Sequence, residues 1–280
     1  MLETLTWRTR TLRTHLGDRG LPSTVIADAA GDTFVVYDVS SLFPDAAQWR
    51  RPLTEITGFA WHHDAVAFSG GDVDFDGHRS DEELARLAVI HRYHLNAGGK
   101  ERPGEISWNG IGYHALGALE DRLYVPRQDV LHTHRAHVST ADARIPPLAS
   151  SPSWNRQLIG FCSLGNYADR RDPAGKAVGP LEDRPPPVAL AAGDALLRTI
   201  TTLLGRELTL RPHAYYANKP CPGTWAPADS WAGFRYEPAA RAVQPPVAAS
   251  PPPPPAPSTA LRTHLQIARE HIAAAELLLP

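Results

Sequence analysis

Sulfur is scarce in this chain: two cysteines and one methionine in 280 residues. Two thiols cannot make a disulfide framework, so the fold must rest on an apolar core, and a reducing compartment suits it. An excess of either charge is also missing. Lys plus Arg number 28 against 30 Asp plus Glu, a net of −2. No basic stripe is available to hold a phosphate backbone, so nucleic acid is not an expected partner. No run of ~18 apolar residues is apparent, and no membrane span is expected. The opening MLETLTWRTRTLRTHLG lacks an apolar stretch of signal-peptide length. The expected location is cytoplasmic. What is present is ample apolar material, 42% of residues, enough for one large domain with appendages.

The appendages show in the composition. Residues 237–258, EPAARAVQPPVAASPPPPPAPS, hold nine prolines and read as a polyproline spacer. Beyond it, residues 259–280 read as an amphipathic helix. Leu261, Leu265, Ala268, Ile272, Ala275 and Leu279 recur at heptad spacing. Such a helix must dock back or self-associate, so a homo-oligomer through this helix is one expectation. Residues 1–50 contain one strand, TFVVYDVSS (33–41), with turn signals at GDRG and AAGD, and read as a β extension packed on the core.

Residues 51–236 alternate strands with helices. ITGFAWHH (56–63), NRQLIGFCSLGNY (155–167) and LTLRPH (208–213) read as strands, and 111–128 as a hairpin turning at Glu120-Asp121. Residues 80–96 read as a helix with a Ser80/Glu83 capping box and a buried face of Leu84, Leu87, Ala88 and His91. Residues 187–205 read as a second helix ending on glycine. This order predicts an α/β fold with a single central sheet flanked by helices.

The stretch RPHAYYANKPCPGTW (211–225) places His213 eight positions before Cys221. Zinc takes imidazole and thiolate, and a catalytic zinc keeps three protein ligands and one open position. Pro220 and Pro222 stiffen the loop between the two donors. The third ligand is expected from His62 or His63 at the end of ITGFAWHH. Strand alternation sends these two rings to opposite faces, so only one can reach the metal. Cys162, in LIGFCSLG, reads as a buried small hydrophobe.

Taken in order, WHHDA, WNGIGYHALGALEDRLYVPR, HTHRAH, NRQLIGFCSLGNY and RPHAYYANKPCPGTW resemble the zinc-dependent N-acetylmuramoyl-L-alanine amidases. The branch includes amidase-type phage endolysins and peptidoglycan recognition proteins, and the likeness covers roughly residues 50–235. It implies one mixed sheet flanked by helices and one zinc ion on His62, His213 and Cys221. It also implies Tyr113 and Lys219 as catalytic groups. His134 matches the cleft histidine that contacts substrate, with His132 and His137 as alternatives in the same run. His63 would be a neighbour pointing away from the metal, and it is expected with His134 as a substrate contact. The implied partner is bacterial peptidoglycan, cut between muramic acid and L-alanine by an enzyme held in a host cytosol until lysis. No glutamate stands out as a general base. Two segments are long for the family: 97–110 before Tyr113, and 138–154, expected to form a wall of the substrate groove.

Overall fold

A computed structural model describes residues 5–14, 18–45, 49–64, 80–100, 110–138, 143–147, 153–165, 167, 170–171, 177–179, 185–218 and 221–223. All belong to the compact unit Met1–Pro238. The proline-rich spacer, the heptad helix and Lys219 lie outside the described residues.

Eight strands form one mixed sheet: β1 (Arg8–Leu12), β2 (Arg19–Ala27), β3 (Thr33–Asp38), β4 (Gly58–His63), β5 (Ala115–Gly117), β6 (Arg122–Val125), β7 (Leu158–Ser163) and β10 (Thr209–Pro212). Their spatial order is β1-β2-β3-β6-β5-β7-β4-β10. Two further strands, β8 (Arg170–Arg171) and β9 (Ala177–Gly179), make a separate ribbon. The helices are α1 (Ser80–Lys100), α2 (Trp154–Gln157), α3 (Pro187–Leu204) and α4 (His213–Tyr216). The expected α/β class with a single helix-flanked sheet is what the chain adopts.

The central strands explain themselves. β4 and β7 are buried at every position, GFAWHH and LIGFCS, because both faces of the sheet are covered. On one face Trp61, Phe161, Phe59 and Val125 pack with Ala192, Ala195, Leu196 and Ile200 of α3. Gly193 lets α3 approach closely, since a Cβ there would meet the Trp61 ring at 3.2 Å. By length and composition α3 is apolar enough to cross a membrane, which corrects the reading that no such run exists. Its buried residues instead cover the sheet. Gly205 ends it at φ 65°, the left-handed cap that glycine favours.

On the opposite face Leu87 and Ile90 of α1 pack on Tyr37, Leu116, Tyr124 and Cys162. The buried residues of α1 are Glu82, Glu83, Arg86, Leu87, Ile90 and His94. Their stripe is rotated from the expected Leu84–Leu87–Ala88–His91 stripe. Ion pairing is the cause. Glu83 Oε2 accepts from Arg122 Nε at 2.8 Å and from the Tyr124 hydroxyl at 2.6 Å. Arg86 reaches Asp64 at 3.3 Å. With its carboxylate bound to the sheet, Glu83 does not act as the partner in a capping box.

The first fifty residues are more than an appendage. β3 pairs in parallel with β6, and β2 and β1 extend the sheet antiparallel beyond it. Ile26, Phe34 and Val36 sit in the main core. The expected AAGD turn joins β2 to β3, while the GDRG signal runs into β2 with Gly17 outside the described residues, and β1 and β2 were not foreseen as strands.

Candidate metal centre

β4 places the histidine pair. It runs parallel to β7 on one side, with His62 opposite Cys162, and parallel to β10 on the other, with Trp61 opposite Pro212. The residue after Pro212 is His213, so parallel pairing brings His213 level with His62. Their ring centroids are 4.4 Å apart. The chain then turns through α4, and the Ala214 N–H donates to the Cys221 carbonyl at 2.7 Å, folding the loop back. One ligand atom from each of His62, His213 and Cys221 lies within 4.8 Å of the others.

The donor set fits zinc. With Zn–N near 2.0–2.1 Å and Zn–S near 2.3 Å at tetrahedral angles, N and S ligands should stand ~3.6 Å apart. Cys221 Sγ lies 3.8 Å from His62 Nδ1. His62 Nε2 meets the Ala136 carbonyl at 2.8 Å, so its proton belongs there and Nδ1 keeps a free lone pair toward Cys221. Burial, then the neighbouring His213 and His137 rings, hold the His62 pKa well below the usual imidazole range, so the ring is neutral. A neutral imidazole is what a metal requires.

Gly223 completes the loop. Its φ is +124°, and a Cβ there would run into the Tyr167 carbonyl oxygen. Tyr167 is in turn fixed by His63, whose Nδ1 accepts the Tyr167 N–H at 3.0 Å. His63 was expected as a substrate contact. It is instead 6% exposed, with a pKa pushed down to about 4 by burial, and its ring lies against Tyr167. Alternation on β4 is the reason: His62 takes one face and His63 the other.

Tyr113 lies beside the triad, its ring 5.1 Å from His62. Burial, then the neighbouring Cys162 and Cys221 thiols, raise its pKa well above the usual phenol range. Cys162 is a fully buried core residue, as expected, and packs in the same cluster as Tyr113. Burial raises its own pKa.

The histidine of HTHRAH at the site is His137. Its ring stacks on His62 at 5.8 Å and lies 4.9 Å from Tyr113 and 4.7 Å from His94. Its φ of 50° is a left-handed conformation uncommon for a side-chain-bearing residue. His134, the expected cleft residue, packs edge-on against Trp49 at 6.0 Å. Neither His94 nor the choice of His137 was evident from spacing. The Ala136 carbonyl bonded to His62 is what puts residue 137 there. Of the long 138–154 segment, the described part lies against α4: Ala143 bridges Ala217, and the Arg144 N–H donates to the Tyr216 carbonyl at 2.8 Å.

No protein-family model matches the chain, and no curated protein matches it. Among solved structures it is similar to bumblebee PGRP-SA, at 15% identity and a TM-score of 0.45, over 67% of this chain and 88% of that one. Drosophila PGRP-LB is similar at 18% identity and a TM-score of 0.44, over 71% and 95%. Manduca sexta Peptidoglycan Recognition Protein-1 is similar at 17% identity and a TM-score of 0.41, over 65% and 80%. The likeness is one of partial shape, and the functional reading rests on the side chains.

Proposed function

We propose that this chain is a zinc-dependent hydrolase that cuts the amide between N-acetylmuramic acid and L-alanine in peptidoglycan. The observation that carries the reading is the meeting of His62, His213 and Cys221, three donors from distant parts of the chain. They occupy the positions that match the ligands of the amidases the sequence resembles. Zinc would supply an activated water and polarise the scissile carbonyl.

The chain's own residues set the conditions for that chemistry. The Ala136 carbonyl holds the His62 proton on the far nitrogen. Cys221 as thiolate adds one negative charge, so the loaded site keeps a net positive charge facing a forming oxyanion. The Tyr113 ring lies 5.1 Å from that of His62. In the proposed reaction its hydroxyl orients the attacking water and donates to the forming oxyanion, and Lys219, two positions before Cys221, serves the leaving amine. His137 lines the ligand side of the site and is the histidine best placed to meet substrate.

A peptidoglycan-binding or virion structural protein on the same fold is the other reading. A complete donor set favours hydrolysis, because a module that only binds has no need of three converging ligands. The proposed setting is a lytic enzyme held in a host cytosol until the membrane opens, with the heptad helix as an assembly device.

Mass spectrometry of purified wall after digestion tests the reading. The native protein should release stem peptides with a free N-terminal alanine, and Cys221→Ser should lose both zinc and activity. Digestion by the variant at the native rate would overturn it.

A further inference from the structure

Two residues directly follow the ligand His62, namely His63 and Asp64, and the proposed hydrolysis uses neither. Both bond to the same bend, the one that follows β7. Asp64 Oδ1 accepts the Gly165 N–H at 3.1 Å, and His63 Nδ1 accepts the Tyr167 N–H at 3.0 Å. They reach the bend from opposite faces of the sheet. Alternation puts His63 on the α3 face with Trp61, while Asp64 pairs with Arg86 of α1 on the other face. The Tyr167 hydroxyl donates to the Leu164 carbonyl at 2.7 Å, which closes the bend on itself.

The Cys221 arm is seated on that bend. Gly223, two residues past the thiol, lies so close to the Tyr167 carbonyl that no Cβ would fit between them. At its other end the arm is held by the Ala214 N–H on the Cys221 carbonyl. A shift of the bend would therefore move the arm against a fixed anchor, and with it the 3.8 Å separation of Cys221 Sγ from His62 Nδ1.

The Asp64 carboxylate is itself tightly held. Its side chain is fully buried, and its Oδ2 lies 3.3 Å from Arg86 Nη1. The second nitrogen of that guanidinium, Nη2, lies 3.3 Å from Glu82 Oε1, one turn earlier on α1. A buried ion pair is often no more stabilising than apolar side chains of similar volume. What this one does supply is a single orientation for the carboxylate, with one oxygen on Arg86 and the other on Gly165.

We propose that Asp64 is a positioning residue for the metal centre: fixed by Arg86, it holds the Gly165 bend on which the Cys221 arm closes, and so sets where Sγ meets His62 and His213. The proposal rests on the metal part of the reading above and is independent of the substrate.

Zinc affinity, measured by competition with a chromophoric chelator, tests it without any wall substrate. Asp64→Ala should bind zinc at least about tenfold more weakly than the native chain, the usual cost of removing a group that orients a metal ligand. Asp64→Asn keeps an oxygen for the Gly165 N–H and should recover most of the lost affinity. Ile200→Ala, a core truncation on the α3 face, should lower the thermal midpoint and leave zinc affinity native. Loaded with Co2+ instead, Asp64→Ala should show a weaker thiolate-to-cobalt absorption than the native chain. Hydrogen exchange in the native chain needs no variant: the Gly165 and Tyr167 amides should exchange more slowly with zinc bound, because coupling between two sites is reciprocal. Native-strength binding by Asp64→Ala, an Asp64→Asn variant as weak as Asp64→Ala, equal weakening in Ile200→Ala, or exchange at the bend indifferent to zinc would each overturn the proposal. A native chain that binds no zinc would overturn it together with the metal reading. Zinc binding with the expected ranking but no wall digestion would sustain it and sink only the amidase assignment.

Discussion

Tyr113 is buried with its ring 5.1 Å from His62. Its ring contributes no metal donor. Tyr113→Phe should therefore keep zinc, read by elemental analysis, and lower kcat on wall substrate by roughly 10²–10³, the cost of a lost transition-state donor. Full activity in the phenylalanine variant would make Tyr113 a core residue and nothing more. Gly223 tests the loop in another way. Alanine there meets both a φ of +124° and the Tyr167 carbonyl. Gly223→Ala should cost about 1–3 kcal/mol and displace Cys221. It should thus lower zinc content together with the thermal midpoint, two readouts taken on the same sample.

Strands and helices deliver these side chains with ångström accuracy because they are shared with the core. The N-terminal segment illustrates this. Its hairpin was legible as turn signals, yet its role was hidden, because strand pairing at a distance leaves no local mark. Since β3 bonds to β6 and carries Phe34 and Val36 into the core, deletion of residues 1–50 should abolish cooperative unfolding, measured by circular dichroism. A folded, active deletion product would show the extension to be dispensable. α1 shows the reverse case. Its helical period was plain, but its buried face was not, because Glu83 and Arg86 are buried by pairing with Arg122 and Asp64. A hydrophobic pattern alone misses a buried charge that has a partner. Leu87→Ala, at the centre of that face, should destabilise by about 2–5 kcal/mol in denaturant titration.

Across the whole molecule, buried histidines set the response to acid. His63, His94 and His114 each accept a backbone N–H on Nδ1, from Tyr167, Gly112 and Gly160. Protonation would turn each acceptor into a second donor. Burial holds His63 and His94 at about 4 and His114 well below its usual value. The unfolded chain binds these protons from about pH 6.5, the folded chain only near pH 4. The unfolded state therefore gains protons first as pH falls, and stability drops through that window by up to ~1.4 kcal/mol per pH unit for each such histidine. Denaturant melts between pH 7 and 4.5 should show a steep loss. A flat profile would mean that the native fold tolerates charged rings at these places.

Sequence alone was enough for whatever depends on near neighbours along the chain. Continuous apolar runs marked β4 and β7, and the helical period marked α1. Glycine marked the end of α3, and the types of the donors in WHH and HAYYANKPC named the metal they suit. Only the tertiary structure shows that His62, not His63, meets His213 and Cys221, and that His137, not His134, lies against His62. It also brought Cys162 to Tyr113. Each of these choices depends on which strand lies beside which and in what register, and on one carbonyl, that of Ala136, reaching across 74 residues to a ring nitrogen. Such pairings are set by the packing of the whole core, and no short stretch of the chain contains them.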